Sequence, residues 1–226
     1  MTQDLIIQTN GVKRAFDTPA GKFWALKGID IAIPAGTFAI LKGRSGSGKT
    51  TLMNILNSLD DPTEGEVFFR GQPLTELSDR ERENLRRREM GFVFQSVSLI
   101  PSLNAFQNVE FSIRMAGQKI GRDSQARVEE CLKLVGLANR MTHMSAEMSG
   151  GEQQRVAIAR AFAHHPAIIF ADEPTAELDS AMAAHVTEIF KEMTRREGIT
   201  VLMTTHDVGL MGAADMTIEL QNGEQM

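Results

Sequence analysis

Eight consecutive residues, Gly43-Arg44-Ser45-Gly46-Ser47-Gly48-Lys49-Thr50, constrain this chain more than any other stretch. They fit G-x-x-x-x-G-K-[ST] at every required position. A buried strand is predicted just before them, around residues 37–41. After them Leu52, Ile55, Leu56 and Leu59 recur at i, i+3, i+4 and i+7, the stripe of a helix lying on a sheet. Glycines allow a turn tight enough for several N–H groups to face one anion, and a helix starting near Gly48 adds its positive dipole end. Lys49 supplies an ammonium for the β- and γ-phosphates, and Thr50 offers a hydroxyl to Mg²⁺. The phosphate-binding set is read as Gly43, Arg44, Ser45, Gly46, Ser47, Gly48, Lys49, Thr50 and Thr51. A chance glycine-rich turn is the alternative, but a strand before the loop and an amphipathic helix after it are the context that the motif requires.

The second informative stretch is Ile168-Ile169-Phe170-Ala171-Asp172-Glu173. An apolar strand tolerates carboxylates only at its tip, where they meet water or a cation. Asp172 is placed to hold a Mg²⁺ shell, and Glu173 to orient and deprotonate an attacking water. The runs 167–171 and 200–204 are continuous rather than alternating, as strands covered on both faces are. Further strands are predicted at residues 5–7, 29–33 and 66–69. The pattern turns helical between 96 and 148, with a helix over 124–135 stopped by Gly136. These signals predict an α/β core with a mostly parallel sheet, an antiparallel β layer at the N-terminus and a helical lobe inserted near the middle.

Composition removes other classes. A net charge of -5 argues against a dedicated nucleic-acid binder, so no nucleic-acid partner is expected. The basic cluster Arg86-Arg87-Arg88 is flanked by Glu83 and Glu89 and reads as a solvated helix face. The single cysteine, Cys131, lies at helical spacing with Val128, Leu132 and Val135, as a small core residue does. The N-terminal residues do not form a secretory signal, and the longest apolar runs fall far short of the ~20 residues that span a bilayer. A membrane role therefore requires another chain to do the spanning.

Met148-Ser149-Gly150-Gly151-Glu152-Gln153-Gln154-Arg155 opens a helical run through Val156, Ile158, Ala159 and Phe162. It resembles the signature motif of ATP-binding cassette (ABC) proteins, usually led by Leu where this chain has Met148. Ser149 with Glu152 three residues later also fits a capping box, and both readings can hold in different states. Companion motifs follow the family's order. Gln95, ending Gly91-Phe92-Val93-Phe94-Gln95, resembles the Q-loop glutamine that touches Mg²⁺. Leu178-Asp179, in Pro174-Thr175-Ala176-Glu177-Leu178-Asp179, resembles the D-loop, and His206, in Thr204-Thr205-His206-Asp207, resembles the switch histidine.

The resemblance covers the whole chain and is closest to ATPase subunits of the macrolide-export, lipoprotein-release and cell-division type. It implies one P-loop NTPase domain over residues 1–226, with its helical lobe at about 96–148. It implies ATP and Mg²⁺ as ligands, with Thr50, Gln95 and Asp172 at the metal. Glu173, His206 and Gln95 would serve catalysis, and Ser149, Gly150, Gly151, Glu152 and Asp179 would join the nucleotide site. It further implies a homodimer that sandwiches two ATP, Lys49 and Ser149 reaching one phosphate from opposite subunits. A separate permease at the cytoplasmic face of a membrane is the other partner, docking in the cleft between core and lobe near Gln95 to Phe111, where the apolar stretch 96–103 lies; the alternative is that this stretch packs the lobe against the core. The family usually stacks the base on a tyrosine, which this chain lacks; Phe16 stands in its place, with Phe23 and Trp24 near enough to compete. Arg44 replaces a more familiar apolar or Pro residue and is expected to face solvent. ABC ATPases of DNA repair or translation carry coiled coils, zinc modules or two cassettes that this chain does not offer, whereas export and regulation of a membrane complex share every motif.

Overall fold

The computed structural model describes residues 4–226 apart from residues 20, 177 and 207, so Glu177 and Asp207 of the motifs above lie outside the described residues. In chain order the elements are β1 (Leu5–Thr18), β2 (Gly21–Ile29), β3 (Ala32–Pro34), β4 (Phe38–Lys42), α1 (Lys49–Leu56), β5 (Glu64–Phe69), β6 (Gln72–Pro73), α2 (Asp79–Glu89) and β7 (Met90–Val93). Then follow α3 (Ala105–Met115), α4 (Arg122–Leu134), α5 (Gly150–Phe162), β8 (Ile168–Ala171), α6 (Ser180–Glu197), β9 (Thr200–Thr205), β10 (Met216–Gln221) and β11 (Glu224–Gln225).

Two sheets form. One has the order β2-β1-β5-β6, with β3 also on β1, and its pairs are antiparallel. The other has the order β11-β10-β4-β9-β8-β7 and is parallel from β10 to β7. The central strands are covered on both faces. Phe38, Ile40, Val201, Met203, Ile169 and Val93 face the helices α3 to α6. Ala39, Leu41, Leu202, Ile168 and Phe170 face α1 and the antiparallel sheet. Every residue of β4 except Lys42, and every residue of β8 and β9, is buried, as their uninterrupted apolar runs require.

Two local readings fail for identifiable reasons. The strand expected over 29–33 is broken, because β2 ends at Ile29 and β3 begins at Ala32. Asp30 Oδ1 accepts from Gly11 N–H at 2.6 Å and Thr9 Oγ1 accepts from Ile31 N–H at 2.9 Å, so the chain steps along β1 there instead of pairing straight through. The stripe ending at Leu59 is also one turn too long. Helix α1 stops at Leu56, Ser58 takes a left-handed φ of 58°, and Leu59 is left exposed. Met53 takes the buried place in its stead. Cys131 is fully buried, which pushes its thiol up to about 12.

Candidate functional site

Four parallel strands carry the motifs to one edge. The phosphate loop follows β4, His206 follows β9, Asp172 and Glu173 follow β8, and Gln95 lies two residues beyond β7. In the sheet these strands are neighbours in the order β4-β9-β8-β7, with Lys42 opposite Thr205, Met203 opposite Ala171 and Val93 opposite Ala171. Residues scattered from 43 to 206 thus converge at the carboxyl ends of adjacent strands, the place where open α/β sheets bind ligands.

The loop itself is built for an anion. Gly48 holds φ 103° at the entry to α1, where a Cβ would lie 2.8 Å from Ala25 O. No side chain caps α1, so its first N–H groups are not taken by a cap. The Ser47 hydroxyl is buried and has no hydrogen-bond partner among the described residues. Lys49 is also buried, and its ammonium donates to Gly43 O at 2.9 Å and Arg44 O at 3.2 Å. A buried hydroxyl and an ammonium held only by loop carbonyls are donors suited to phosphate oxygens. Ser45, Gly46 and Thr50 are exposed, Thr51 is half-buried, and Arg44 faces solvent.

Thr50 Oγ1 donates to Asp172 Oδ2 at 3.2 Å, which joins the loop to the acidic strand end. A residue that the sequence reading passed over ties the rest together. Thr204, fully buried at the end of β9, donates to Asp172 Oδ1 at 2.6 Å and accepts from Glu173 N–H at 2.8 Å. One hydroxyl therefore orients both carboxylate residues. Its signal in the sequence was weak: it is one of three threonines in β9, two places before His206. Glu173 adopts φ 44°, a strained conformation for a non-glycine residue, and its Oε2 lies 3.6 Å from His206 Nδ1. A cleft of ≈ 460 Å³ opens there, lined by Glu173, Thr175, Leu178 and His206 among others. Gln95 is exposed just past β7.

The signature residues lie elsewhere. Ser149 is the N-cap of α5 in a complete capping box: its Oγ accepts from Glu152 N–H at 3.3 Å, and Glu152 Oε2 accepts from Ser149 N–H at 2.8 Å. That bond from Ser149 N–H holds the Glu152 carboxyl below its usual range, and Arg140, at 3.0 Å, adds to it. Met148 fills the usual leucine's role as a buried anchor in the helical core. Gln154 Nε2 donates to Pro174 O at 2.9 Å, which ties α5 to the loop after β8. Asp179 caps α6 by accepting from Met182 N–H at 2.9 Å. Among the described residues, no hydrogen bond or ion pair joins residues 149–152 to residues 43–50 of the same chain.

Strand register separates Trp24 from the two phenylalanines. Phe16 pairs with Phe23 across β1 and β2, whereas Trp24 pairs with Ala15. Alternation puts Phe16 and Phe23 on one face and Trp24 on the other. Both phenylalanines are exposed, and Trp24 is half-buried.

Within the expected docking region near Gln95 to Phe111, the apolar residues of 96–103 are partly covered. Leu99 packs on the helical core, and the fully buried Asn108 pins the stretch by accepting from Ile100 N–H at 2.8 Å and donating to Leu103 O at 2.9 Å. Beside it, exposed apolar groups gather around a groove of ≈ 350 Å³, where Leu59 (52% exposed), Phe94 (45%), Phe111 (37%) and Met115 (44%) meet.

Residues 26–176 match the family model described as ABC transporter, so the chain belongs to the ABC transporter family. The lipoprotein-releasing system ATP-binding protein LolD of Syntrophus aciditrophicus is 39% identical, over 97% of this chain and 98% of its own. The macrolide export ATP-binding/permease protein MacB of Wolinella succinogenes is 42% identical over 98% of this chain but only 34% of its own. Among solved structures, a dimeric post-hydrolysis state of the ATP-binding cassette MJ0796, bound to ADP and Pi, superimposes with a TM-score of 0.90 at 38% identity, covering 97% of this chain and 96% of that one. The chain is an ATP-binding and ATP-hydrolysing subunit, with a fold of the P-loop α/β class.

Proposed function

We propose that Glu173 is the base that activates water for hydrolysis of the γ-phosphate, with His206 beside it and Mg²⁺ held by Thr50, Asp172 and Gln95. The observation that carries this is the Thr50–Asp172–Thr204–Glu173 chain of contacts, which sets the acids at the mouth of the phosphate loop. A carboxylate and a hydroxyl are a ligand set that Mg²⁺ accepts alongside phosphate oxygens and waters. When bound, the ion would neutralise charge on the phosphates. Lys49 and the N–H groups of α1 bind and orient the β- and γ-phosphates. Glu173, on a turned backbone just after Asp172, accepts the proton of the attacking water.

Ser149 and the start of α5 serve a nucleotide on a second copy of the chain, in a homodimer that closes on two ATP. Support comes from their separation from residues 43–50 within one chain and from the dimeric MJ0796 cassette. The dimer drives a separate permease and works at the cytoplasmic face of the membrane; among the described residues no helix is long and apolar enough to cross a bilayer. Residues 96–148 act as the lobe through which closure is passed on.

Glu173→Gln is expected to keep ATP binding while slowing hydrolysis by roughly 10²-fold or more, the scale of losing a positioned base. The variant then elutes as an ATP-bound dimer on gel filtration; turnover at the wild-type rate removes Glu173 from this role. The permease contact is the Leu59–Phe94–Phe111–Met115 groove, whose exposed apolar lining suits the apolar face of a helix. Phe94→Asp and Met115→Asp are expected to abolish co-purification with the permease while ATP affinity is retained. Retained co-purification places the contact on another surface.

A further inference from the structure

One cation sits against the aromatic platform. The Arg14 guanidinium carbon lies 4.8 Å from the centre of the Phe16 ring, and Arg14 Nη2 donates to Asp60 Oδ1 at 2.7 Å. The pair is half-buried rather than loose in solvent, with side-chain exposures of 23% and 29%. Asp60 is itself anchored, since its N–H donates to Asn54 O in α1 at 3.0 Å. The segment after it is stitched to β1: Ala15 N–H donates to Thr63 Oγ1 at 3.0 Å, and Thr63 N–H donates to Lys13 O at 2.8 Å. Helix α1 thus begins at the phosphate loop and, ~12 Å further along its axis, ends beside the residue that holds Arg14. Phe16, with a cation against it, still keeps 40% of its surface exposed, and Phe23 lies beside it on the same strand face.

We propose that Arg14, held by Asp60, is a positioning residue for the nucleotide base: it fixes the Phe16 ring from one face and leaves the other face to stack on the base. This rests on the reading of Phe16 as the base platform. A tyrosine could be held by its hydroxyl, but phenylalanine has no polar handle. A guanidinium over the ring supplies the restraint by cation–π attraction, and a carboxylate fixes the guanidinium in turn. Because α1 links the two ends, the distance between ring and phosphate loop is set before a nucleotide arrives, and less ordering remains for binding to impose.

The test separates base from phosphate by measuring dissociation constants for ATP and for inorganic tripolyphosphate, each with Mg²⁺, by calorimetry. The proteins are wild type, Arg14→Gln, Asp60→Asn and Phe16→Ala. Arg14→Gln and Asp60→Asn are each expected to weaken ATP about three- to tenfold, the usual strength of one such contact, and to leave tripolyphosphate unchanged. Asp60→Asn keeps the size of the side chain, so it serves if Arg14→Gln fails to fold. If Phe16→Ala weakens ATP selectively while Arg14→Gln and Asp60→Asn bind ATP as wild type does, the proposal fails and the stacking reading stands. If Phe16→Ala also binds ATP unchanged, the stacking reading fails with it. If both ligands weaken equally, the pair shapes α1 and the phosphate loop, and its assignment to the base is overturned.

Discussion

Helices α1 and α5 both begin at glycine-rich motifs, yet their N-termini are in opposite conditions. At α1, among the described residues, no side chain caps the helix and the buried Ser47 hydroxyl has no partner, while Gly48 keeps a left-handed backbone. At α5 the corresponding donors are in use: Ser149 and Glu152 satisfy one another, and Arg140 holds Glu152 in place. An uncapped helix start leaves its N–H groups to water or to an anion, and on the proposed reading the phosphates of a nucleotide take them in a single chain. A capped start is stable alone and accepts a phosphate only by exchanging one set of hydrogen bonds for another. On the proposed reading the first site is ready in one chain, and the second answers to a partner. That asymmetry suits an enzyme that should hydrolyse ATP only when two copies have met.

The sharpest way to break the contrast is at α1. Lys49→Ala removes a charge-assisted phosphate contact in an already formed site, and ATP affinity is expected to fall about 30- to 100-fold, or ~2–3 kcal/mol. Calorimetry on the isolated subunit measures it; an unchanged affinity would mean that the loop backbone does the binding alone. The smaller effect is at α5. Ser149→Ala removes an N-cap and should cost about 1 kcal/mol of folding stability, read as a modest fall in Tm. Its ATP affinity as a monomer should equal the wild type's, because the serine serves a partner's nucleotide. A monomer affinity reduced as far as in Lys49→Ala would erase the distinction between the two helices.

How much of this was legible depended on how local the physics is. A phosphate loop binds through its own backbone, so the glycines, Lys49 and Thr50 must stand in one fixed string, and they were readable. Strands β4, β8 and β9 were readable because burial on both faces leaves an unbroken apolar run. The ordering of the four motifs along one sheet edge needed strand neighbours that no single segment encodes. Thr204 looked like part of a buried strand, and its partners 31 and 32 residues away exist only in the folded sheet. Arg14 and Asp60 are 46 residues apart for the same reason. Leu59 misled because periodicity continues past the point where Ser58 turns left-handed and ends the helix. For the stretch 96–103 the sequence left two readings open, because apolar residues look alike whether a buried asparagine pins them to a core or they await a partner. Phe16 could be told from Trp24 only through the register of the β1–β2 hairpin.

The central claim is that one chain's α1 and another chain's α5 make one working site. Mixing two inactive variants tests it directly. Lys49→Ala lacks a working phosphate loop and Ser149→Ala a working signature, so neither homodimer has an intact composite site. In a mixed dimer, the Ser149→Ala chain contributes its Lys49 and the Lys49→Ala chain its Ser149, and one site is whole again. The account predicts that ATPase activity, absent from either variant alone, appears on mixing and rises with the fraction of mixed dimer. If the two variants are each inactive and their mixture stays inactive while mixed dimers are shown to form, the two helices do not share a nucleotide and the account is wrong.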